Sequence, residues 1–232
     1  MSRKLVLFDV DWTLLSKPLP PAYGDRFAVA LRKVLGIDAS ENELNNEGMT
    51  DKQIIVLLMR MRGLDEKTIK AEVGRVISVM AKYVEDNIEK DNSFHEMPHV
   101  TELLAELERR GDVLGLVTGN TEKIARLRLR KIGLAHFFRI GGFGDSSEKR
   151  SELVLTAIRK AEEKFKARIR KWDVFVIGDT PRDIACGKEA GVKTIAMATG
   201  PCPLNELKKH KPDFAFADFS GWEKLVRAIH SD

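Results

Sequence analysis

Short apolar segments alternate with amphipathic stretches along most of this chain. Several of these segments are too short to form helices and are predicted as buried strands: Lys4–Val10, Val113–Thr118, Phe137–Phe143, Asp173–Asp179, Thr194–Ala198 and Phe214–Ala217. Between them, apolar residues recur three and four positions apart, as at Val100, Leu103, Leu104 and Leu107. This alternation of strands and helices predicts an α/β fold built on a doubly wound parallel sheet.

One block of the chain departs from this alternation, because it has helical periodicity and no convincing strand. The helices predicted there are marked by Phe27, Leu31 and Leu35, by Ile54–Met61, and by the stretch from Glu66 to about Asn87. Pro18, Pro20 and Pro21 stand at the entrance of the block, and His95–Pro98 stand at its exit. We therefore predict an α/β core domain formed by residues 1–17 and 97–232, with an all-helical cap domain, residues 18–96, inserted after the first strand.

The composition of the chain argues against several classes of protein. The chain has 232 residues, 43% of them hydrophobic, and a formal net charge of +4, so it can bury a substantial core. No apolar run approaches the roughly 18–20 residues of a membrane-spanning helix, and no nucleic-acid-binding motif is present. The two cysteines, Cys186 and Cys202, form no metal-binding pair. We expect a cytoplasmic protein, monomeric or homodimeric, without membrane or nucleic-acid partners.

Two carboxylates follow the first predicted strand. Asp9 and Asp11 occupy the segment Asp9-Val10-Asp11-Trp12-Thr13, and open parallel sheets bind ligands beyond the carboxyl ends of their strands. Two acids crowded there repel each other unless a cation lies between them or one is protonated. The carboxylate oxygens of Asp9 and Asp11 are ligands of the kind that binds Mg²⁺. A solvated turn or a helix cap is the alternative interpretation of the same pattern.

A second carboxylate pair, Asp179 and Asp183, follows a later strand in the segment Gly178-Asp179-Thr180-Pro181-Arg182-Asp183. Asp183 alone is equally consistent with a residue that favours a helix N-terminus. Both pairs, however, map to the same edge of the predicted sheet. Four carboxylates that converge there are costly without a metal ion, so the two pairs together favour a metal site.

Polar groups suited to an anion lie at the same edge. Thr118, Gly119 and Asn120 end one strand and open a helix, as phosphate binding at a helix N-terminus requires, although an ordinary helix cap fits the same residues. Lys149 and Arg150 supply candidate cations before another amphipathic helix. By contrast, Arg126, Arg128, Arg130 and Lys131 are predicted to form a solvated helix face.

These motifs together resemble those of the haloacid dehalogenase superfamily, in its branch of helical-cap phosphatases similar to phosphoglycolate phosphatases. Asp9, Asp11 and Thr13 match the first motif, Thr118-Gly119-Asn120 the second, and Gly178-Asp179 with Asp183 the fourth. The third motif is usually a lysine. Here Arg150-Ser151-Glu152-Leu153 fits a variant form, and we favour Arg150 over Lys149 because arginine grips two phosphate oxygens at once.

The resemblance implies a Mg²⁺-dependent hydrolase of a small phosphorylated metabolite. Asp9 would form an aspartyl-phosphate, and Asp11 would act as general acid and base. The metal would be held by Asp9, the backbone carbonyl of Asp11, and Asp179, with Asp183 ordering that shell. Thr118, Gly119, Asn120 and Arg150 would hold the phosphate, with Thr13 in an auxiliary place. Thr50 and Asp51 of the cap, and Trp12, would face the substrate.

Alternatives to a phosphatase differ in what happens to the phosphoryl group. A phosphosugar mutase uses the same acids and differs mainly in its cap. A receiver-type signalling domain is phosphorylated on aspartate without turnover, but such domains are about half this length and lack the second acid. A catalytically silent binding protein is the third alternative. A 2-haloacid dehalogenase is disfavoured, because a departing halide needs no acid such as Asp11. Phosphoglycolate is the first substrate expected, and small sugar phosphates are the next.

Overall fold

The computed structural model describes residues 3–16 and 24–231. Its centre is a parallel sheet with the strands β1 (Leu5–Phe8), β2 (Val113–Thr118), β3 (Ile140–Phe143), β4 (Val174–Gly178), β5 (Lys193–Met197) and β6 (Phe214–Phe216). The strand order is β3-β2-β1-β4-β5-β6. The predicted α/β fold with a doubly wound parallel sheet is therefore confirmed, and the chain reverses its winding direction between β1 and β4.

Helices cover both faces of this sheet. They are α4 (Val100–Arg109), α5 (Glu122–Lys131), α6 (Arg150–Phe165), α7 (Pro181–Ala190), α8 (Leu204–Lys209) and α9 (Trp222–His230). Successive side chains of a strand point to opposite faces. Accordingly, Leu5 and Leu7 pack in one cluster with Leu153 of α6, whereas Val6 and Phe8 pack in another cluster with Leu103 of α4.

Between β1 and β2 lie α1 (Arg26–Leu35), α2 (Asp51–Met61) and α3 (Glu66–Asn87). We call described residues 24–96 the helical insert. The stretch predicted as one or two helices from Glu66 is a single helix, α3, which packs against α1 and α2. The prolines at positions 18, 20 and 21, and with them the predicted boundary at residue 17, lie outside the described residues. The division into core and cap domains stays a prediction.

The third predicted strand begins later than expected. The strand predicted from Phe137 begins at Ile140, because Ala135–Phe137 forms a 3₁₀ turn in which the Phe138 N–H donates to the Ala135 carbonyl. Similarly, a 3₁₀ turn at Phe219–Gly221 precedes α9. Within residues 3–16 and 24–231, a helix with the length and hydropathy needed to cross a lipid bilayer is not found.

Candidate active site

A cavity of about 160 Å³ opens at the carboxyl ends of β1, β2 and β4. Most residues predicted for the site line this one cavity: Asp9, Asp11, Trp12, Asp51, Thr118, Gly119, Asn120, Arg150 and Asp179. Three further predicted residues, Thr13, Thr50 and Asp183, are buried in its immediate surroundings. The parallel register of β1 with β2 and with β4 explains this convergence, because it sets the ends of the three strands at the same level.

Asp9 follows β1 directly and is almost completely buried. Its backbone N–H continues the strand ladder to the Ile177 carbonyl, at 2.9 Å, which fixes the carboxylate at the sheet edge. Arg150 Nη2 lies 2.9 Å from Asp9 Oδ1. Burial raises the pKa of Asp9 to about 7, a shift that Arg150 opposes and the charges of Asp183 and Asp11 increase.

Arg150 and Lys149 differ sharply in position, although they are neighbours in the chain. Arg150 is buried, and its guanidinium also contacts Asp183 Oδ1, at 2.5 Å, and the Gly48 carbonyl, at 3.1 Å. Lys149 is exposed at the N-cap of α6. Of the two candidate cations for the third motif, Arg150 is therefore the one that contacts Asp9.

Asp179 follows β4, and its two carboxylate oxygens differ in their surroundings. Its Oδ1 accepts a long hydrogen bond from the Thr13 hydroxyl, at 3.4 Å, whereas its buried Oδ2 has no hydrogen-bond partner among the described residues. Burial, together with the charges of Asp183 and Asp9, raises the pKa of Asp179 to about 9. A buried acceptor without a donor is unfavourable, and a cation would relieve it.

The carboxylates of Asp9, Asp179 and Asp183 lie close enough together to ligate one ion. Asp183, however, is already engaged on both oxygens: Arg150 contacts Oδ1, and the Thr180 N–H and hydroxyl donate to Oδ2 at 3.0 and 2.6 Å. It forms a capping box at the start of α7. The donor set thus fits a hard cation bound through Asp9 and Asp179, with Asp183 restraining Arg150 beside them.

At the end of β2, the Thr118 hydroxyl and the Asn120 amide lie on either side of Gly119, which the backbone of Met49 approaches closely. Thr118 is fully buried, and its Oγ1 accepts from the backbone N–H and the Nδ2 group of Asn120, at 3.3 and 3.2 Å. Gly119 has no room for a side chain, since a Cβ there would lie 2.1 Å from the Met49 carbonyl oxygen. The glycine lets the helical insert approach the sheet edge.

Asp11 contacts a residue that the sequence analysis placed elsewhere. Arg128 of α5 was predicted to lie on a solvated face, and this was wrong: Arg128 is 2% exposed and its Nη1 lies 3.0 Å from Asp11 Oδ1. Asn120 joins the two, because its Nδ2 donates to Asp11 Oδ2 at 2.9 Å and its Oδ1 accepts from Arg128 at 3.2 Å. The signal was available, because Ile124, Ala125, Arg128 and Leu129 share one helix face.

The N-terminus of α2 is hydrogen-bonded to the core through backbone N–H groups that have no acceptor within the helix. The first N–H groups of a helix lack intrahelical acceptors, and here those of Asp51 and Lys52 donate to the carbonyls of Gly119 and Gly144, at 2.7 and 3.0 Å. Thr50 caps this helix through its side chain, at 3.1 Å from the Gln53 N–H, so its hydroxyl stabilises α2.

Asp51 bridges the insert and the core through its side chain. Its Oδ1 lies 2.8 Å from Arg26 Nη2, and its Oδ2 accepts from the Thr121 N–H, also at 2.8 Å. Sequence reasoning missed Arg26, which lines the cavity beside Asp51.

Trp12 adopts a left-handed backbone conformation, with φ of 58°. Its carbonyl accepts a hydrogen bond from the Thr199 hydroxyl and its N–H donates to the Leu15 carbonyl, at 2.7 Å. Residues other than glycine rarely adopt this conformation, so the bulky residue stands at a position where glycine would fit with less strain.

Comparisons with known proteins agree with these motifs. The phosphoglycolate phosphatase of Vibrio cholerae is 26% identical, and the alignment covers 97% of each chain. The pyrophosphatase PpaX of Oceanobacillus iheyensis is 29% identical, with 94% of each chain covered. A solved structure from Bacteroides vulgatus, described as a candidate β-phosphoglucomutase, has a TM-score of 0.66 at 24% identity and covers 99% of this chain and 91% of its own; it bears on the fold alone.

The predicted superfamily resemblance is confirmed by a direct match over most of the chain. The family described as haloacid dehalogenase-like hydrolase matches residues 6–197. This range contains all four motifs around the cavity, from the strand before Asp9 to the strand after Asp183. The chain belongs to the haloacid dehalogenase-like hydrolase family.

Proposed function

We propose that this hydrolase is a Mg²⁺-dependent phosphatase that releases phosphate from a small phosphomonoester through an aspartyl-phosphate on Asp9. The observation that carries the proposal is the environment of Asp9, a buried carboxylate held by Arg150 at 2.9 Å beside the unpaired Oδ2 of Asp179. Relatives that align with more than nine-tenths of the chain are named phosphoglycolate phosphatase and pyrophosphatase. Both names describe hydrolysis at phosphorus.

Asp9, Asp179 and the backbone carbonyl of Asp11 would hold the metal ion. The unpaired Oδ2 of Asp179 and the raised pKa values of Asp9 and Asp179 support this assignment. When bound, Mg²⁺ supplies positive charge that keeps both carboxylates ionised and offsets the charge of the phosphate. Asp183 positions Arg150, which contributes a fixed positive charge beside Asp9.

The chemistry divides into two displacements at phosphorus. In the first, an Asp9 carboxylate oxygen attacks phosphorus, the bond to the leaving oxygen breaks, and Asp11 gives that oxygen a proton. In the second, Asp11 takes a proton from water as the water oxygen attacks phosphorus, and the bond to Asp9 breaks. Arg150, Thr118 and the N–H groups of Gly119 and Asn120 would hold the phosphate oxygens through both steps.

A phosphosugar mutase is the second candidate, since a structural neighbour carries that description. A mutase passes the phosphoryl group to a second sugar hydroxyl, whereas a phosphatase passes it to water. We favour water, because the curated relatives aligned along nearly the whole chain have phosphatase names. A cytoplasmic location, a monomeric or homodimeric state, and the absence of nucleic-acid and membrane partners stay predictions from the sequence.

Hydrolysis of p-nitrophenyl phosphate near neutral pH tests the proposal. We expect activity with Mg²⁺, its loss with EDTA, and its loss in Asp9→Asn while the thermal unfolding curve shows an intact fold. The phosphoenzyme should accumulate in Asp11→Asn and be visible by intact-mass spectrometry, because this variant lacks the base for the second step. Activity in Asp9→Asn above a few per cent of wild type would overturn the assignment of the nucleophile.

A further inference from the structure

The cavity is lined both by Asp9 and by residues of the helical insert. Its part at the insert would contact the group that is bonded to the phosphate. We call the cavity-lining residues of the insert the insert end of the cavity: Arg26, Glu41, Asn46, Glu47, Gly48, Met49, Asp51 and Ile54. Among the described residues of the insert end, Arg26 is the sole cation, while Glu41, Glu47 and Asp51 are carboxylates. The charge at this end is thus net negative.

Arg26 is already neutralised by the protein. It is 4% exposed, and its Nη2 lies 2.8 Å from Asp51 Oδ1, which is buried as well. Burial opposes the charged form, but the charges of Asp51 and Glu41 raise the pKa of the Arg26 guanidinium. Because Asp51 offsets the charge of this guanidinium, Arg26 attracts a second anion less strongly than an unpaired arginine would.

The two other carboxylates reach the cavity wall. Glu41 interacts with Arg26 through its charge, and its Oε2 accepts from Asn46 Nδ2 at 3.1 Å. Glu47 lines the same cavity as Cys202, whose thiol pKa is raised by burial and further by the charges of Glu206 and Glu47. Such carboxylates accept hydrogen bonds and repel anions.

We propose that the leaving group of the natural substrate is an uncharged, hydroxyl-bearing alcohol, and that carboxylate-bearing esters such as phosphoglycolate are selected against. This inference rests on the proposed phosphatase function and specifies its substrate class. Arg150 and the metal ion would both bind the phosphate, so neither of them is available to bind a second anionic group of the substrate. Hydroxyl groups would instead donate to the carboxylates of Glu41 and Glu47.

The test compares two esters of nearly equal size, 2-hydroxyethyl phosphate and 2-phosphoglycolate. Their binding to Asp9→Asn, which cannot turn them over, is measured by isothermal titration calorimetry with Mg²⁺. We expect the hydroxyethyl ester to bind at least about tenfold more tightly, since like charges placed together are costly. Introducing Glu41→Gln should reduce this ratio severalfold, because it removes one repelling charge. Glu223→Gln on the exposed surface of α9 removes the same charge far from the cavity and is the matched control.

Equal or tighter binding of 2-phosphoglycolate overturns the proposal, and so does failure of both esters to bind. A ratio that Glu41→Gln leaves unchanged overturns the role given to the insert end. The phosphatase function is decided separately, by hydrolysis of p-nitrophenyl phosphate by the wild-type protein. A protein that hydrolyses p-nitrophenyl phosphate but does not bind the hydroxyethyl ester more tightly would keep the proposed function and lose this inference.

Discussion

Arg128 holds the carboxylate of Asp11 from a helix that contributes no residue to the recognised motifs. Its Nη1 contacts both Asp11 oxygens, at 3.0 and 3.4 Å, and the Asn120 side chain. Because Asp11 is only partly buried and follows a strand end, a fixed cation restricts where its carboxylate can turn. At the scale of single residues, Arg128 therefore positions the proposed general acid and base.

Arg128→Gln should lower kcat about 10- to 100-fold with little change in KM, because general acid–base catalysis contributes roughly 10²–10⁴-fold to a rate and Asp11 would be mispositioned, not lost. Arg128→Lys should recover part of the loss. Steady-state kinetics with p-nitrophenyl phosphate measures both. Arg130→Gln, which neutralises an exposed arginine on the same helix, is the control. An equal loss in both variants would contradict a specific role for Arg128.

Arg150 and Lys149 allow a similarly direct comparison. Arg150→Ala should lower kcat/KM by about 10²-fold or more, since it removes the buried charge beside Asp9 and the arginine that contacts Asp183 Oδ1. Lys149→Ala should stay within about twofold of wild type, because exposed charges contribute little. Kinetics and thermal unfolding are measured together. A larger kinetic effect from Lys149→Ala would reverse the assignment of the third motif.

Trp12 stores backbone strain that glycine would release. A left-handed conformation costs a residue with a side chain about 1–2 kcal/mol. Lys166, at φ of 50°, has the same strain far from the cavity. Lys166→Gly should stabilise the protein by about 1 kcal/mol, and Trp12→Gly by less, because it also removes the contacts of the indole. Urea unfolding measures both changes. A larger gain from Trp12→Gly would mean that the indole itself is destabilising.

The element that completes the cavity is α2, whose first two N–H groups bind carbonyls of the core. Arg150 adds a third link by donating to the Gly48 carbonyl. The guanidinium of Arg150 therefore contacts both Asp9 and the insert, so it couples the docking of the insert to the arrangement of Asp9.

Gly119→Ala should disrupt this docking without unfolding the protein. A Cβ would lie 2.1 Å from the Met49 carbonyl oxygen, so the start of α2 must move away. We expect kcat/KM to fall about tenfold or more, because misplacing a site by 1 Å can cost as much as 10²-fold in rate. Gly74→Ala is the control, since its Cβ meets nothing within 4 Å and should stabilise α3 by about 0.5–1 kcal/mol. Unchanged kinetics in Gly119→Ala would show that docking is not required.

Secondary-structure elements and motifs could be predicted from the sequence where neighbouring residues in the chain determine them. The buried strands and the carboxylates after them were predictable, because a short apolar run followed by polar residues has the same meaning anywhere in a parallel sheet. Arg26 was missed, and the helix face of Arg128 indicated its burial but not its partner, because the partner of a buried arginine comes from elsewhere in the chain. Asp51 is 25 positions from Arg26, and Asp11 is 117 from Arg128. Such partners are visible in tertiary structure alone.

The whole molecule gathers negative charge at one edge of its sheet. Asp9 follows β1 and Asp179 follows β4, on the two strands between which the winding reverses. This crevice is where doubly wound sheets bind ligands. The same convergence destabilises the metal-free protein, since carboxylates buried together resist ionisation. The stability of the folded protein should therefore depend both on metal binding and on pH.

Mg²⁺ should stabilise the protein increasingly as pH rises. In the folded chain the pKa of Asp9 is about 7 and that of Asp179 about 9, against an ordinary value of 3.8. From about pH 4 upwards, the folded metal-free state therefore binds more protons at these two sites than the unfolded state, and their contribution to stability falls as pH rises. Mg²⁺ competes with those protons, so the stabilisation by Mg²⁺ is smallest at acidic pH.

Thermal unfolding with and without a fixed Mg²⁺ concentration, from about pH 5 to about pH 8, should show a shift in Tm that increases with pH. The shift should vanish in Asp179→Asn. A shift that is constant or decreases with pH would mean that these carboxylates are not the ligands.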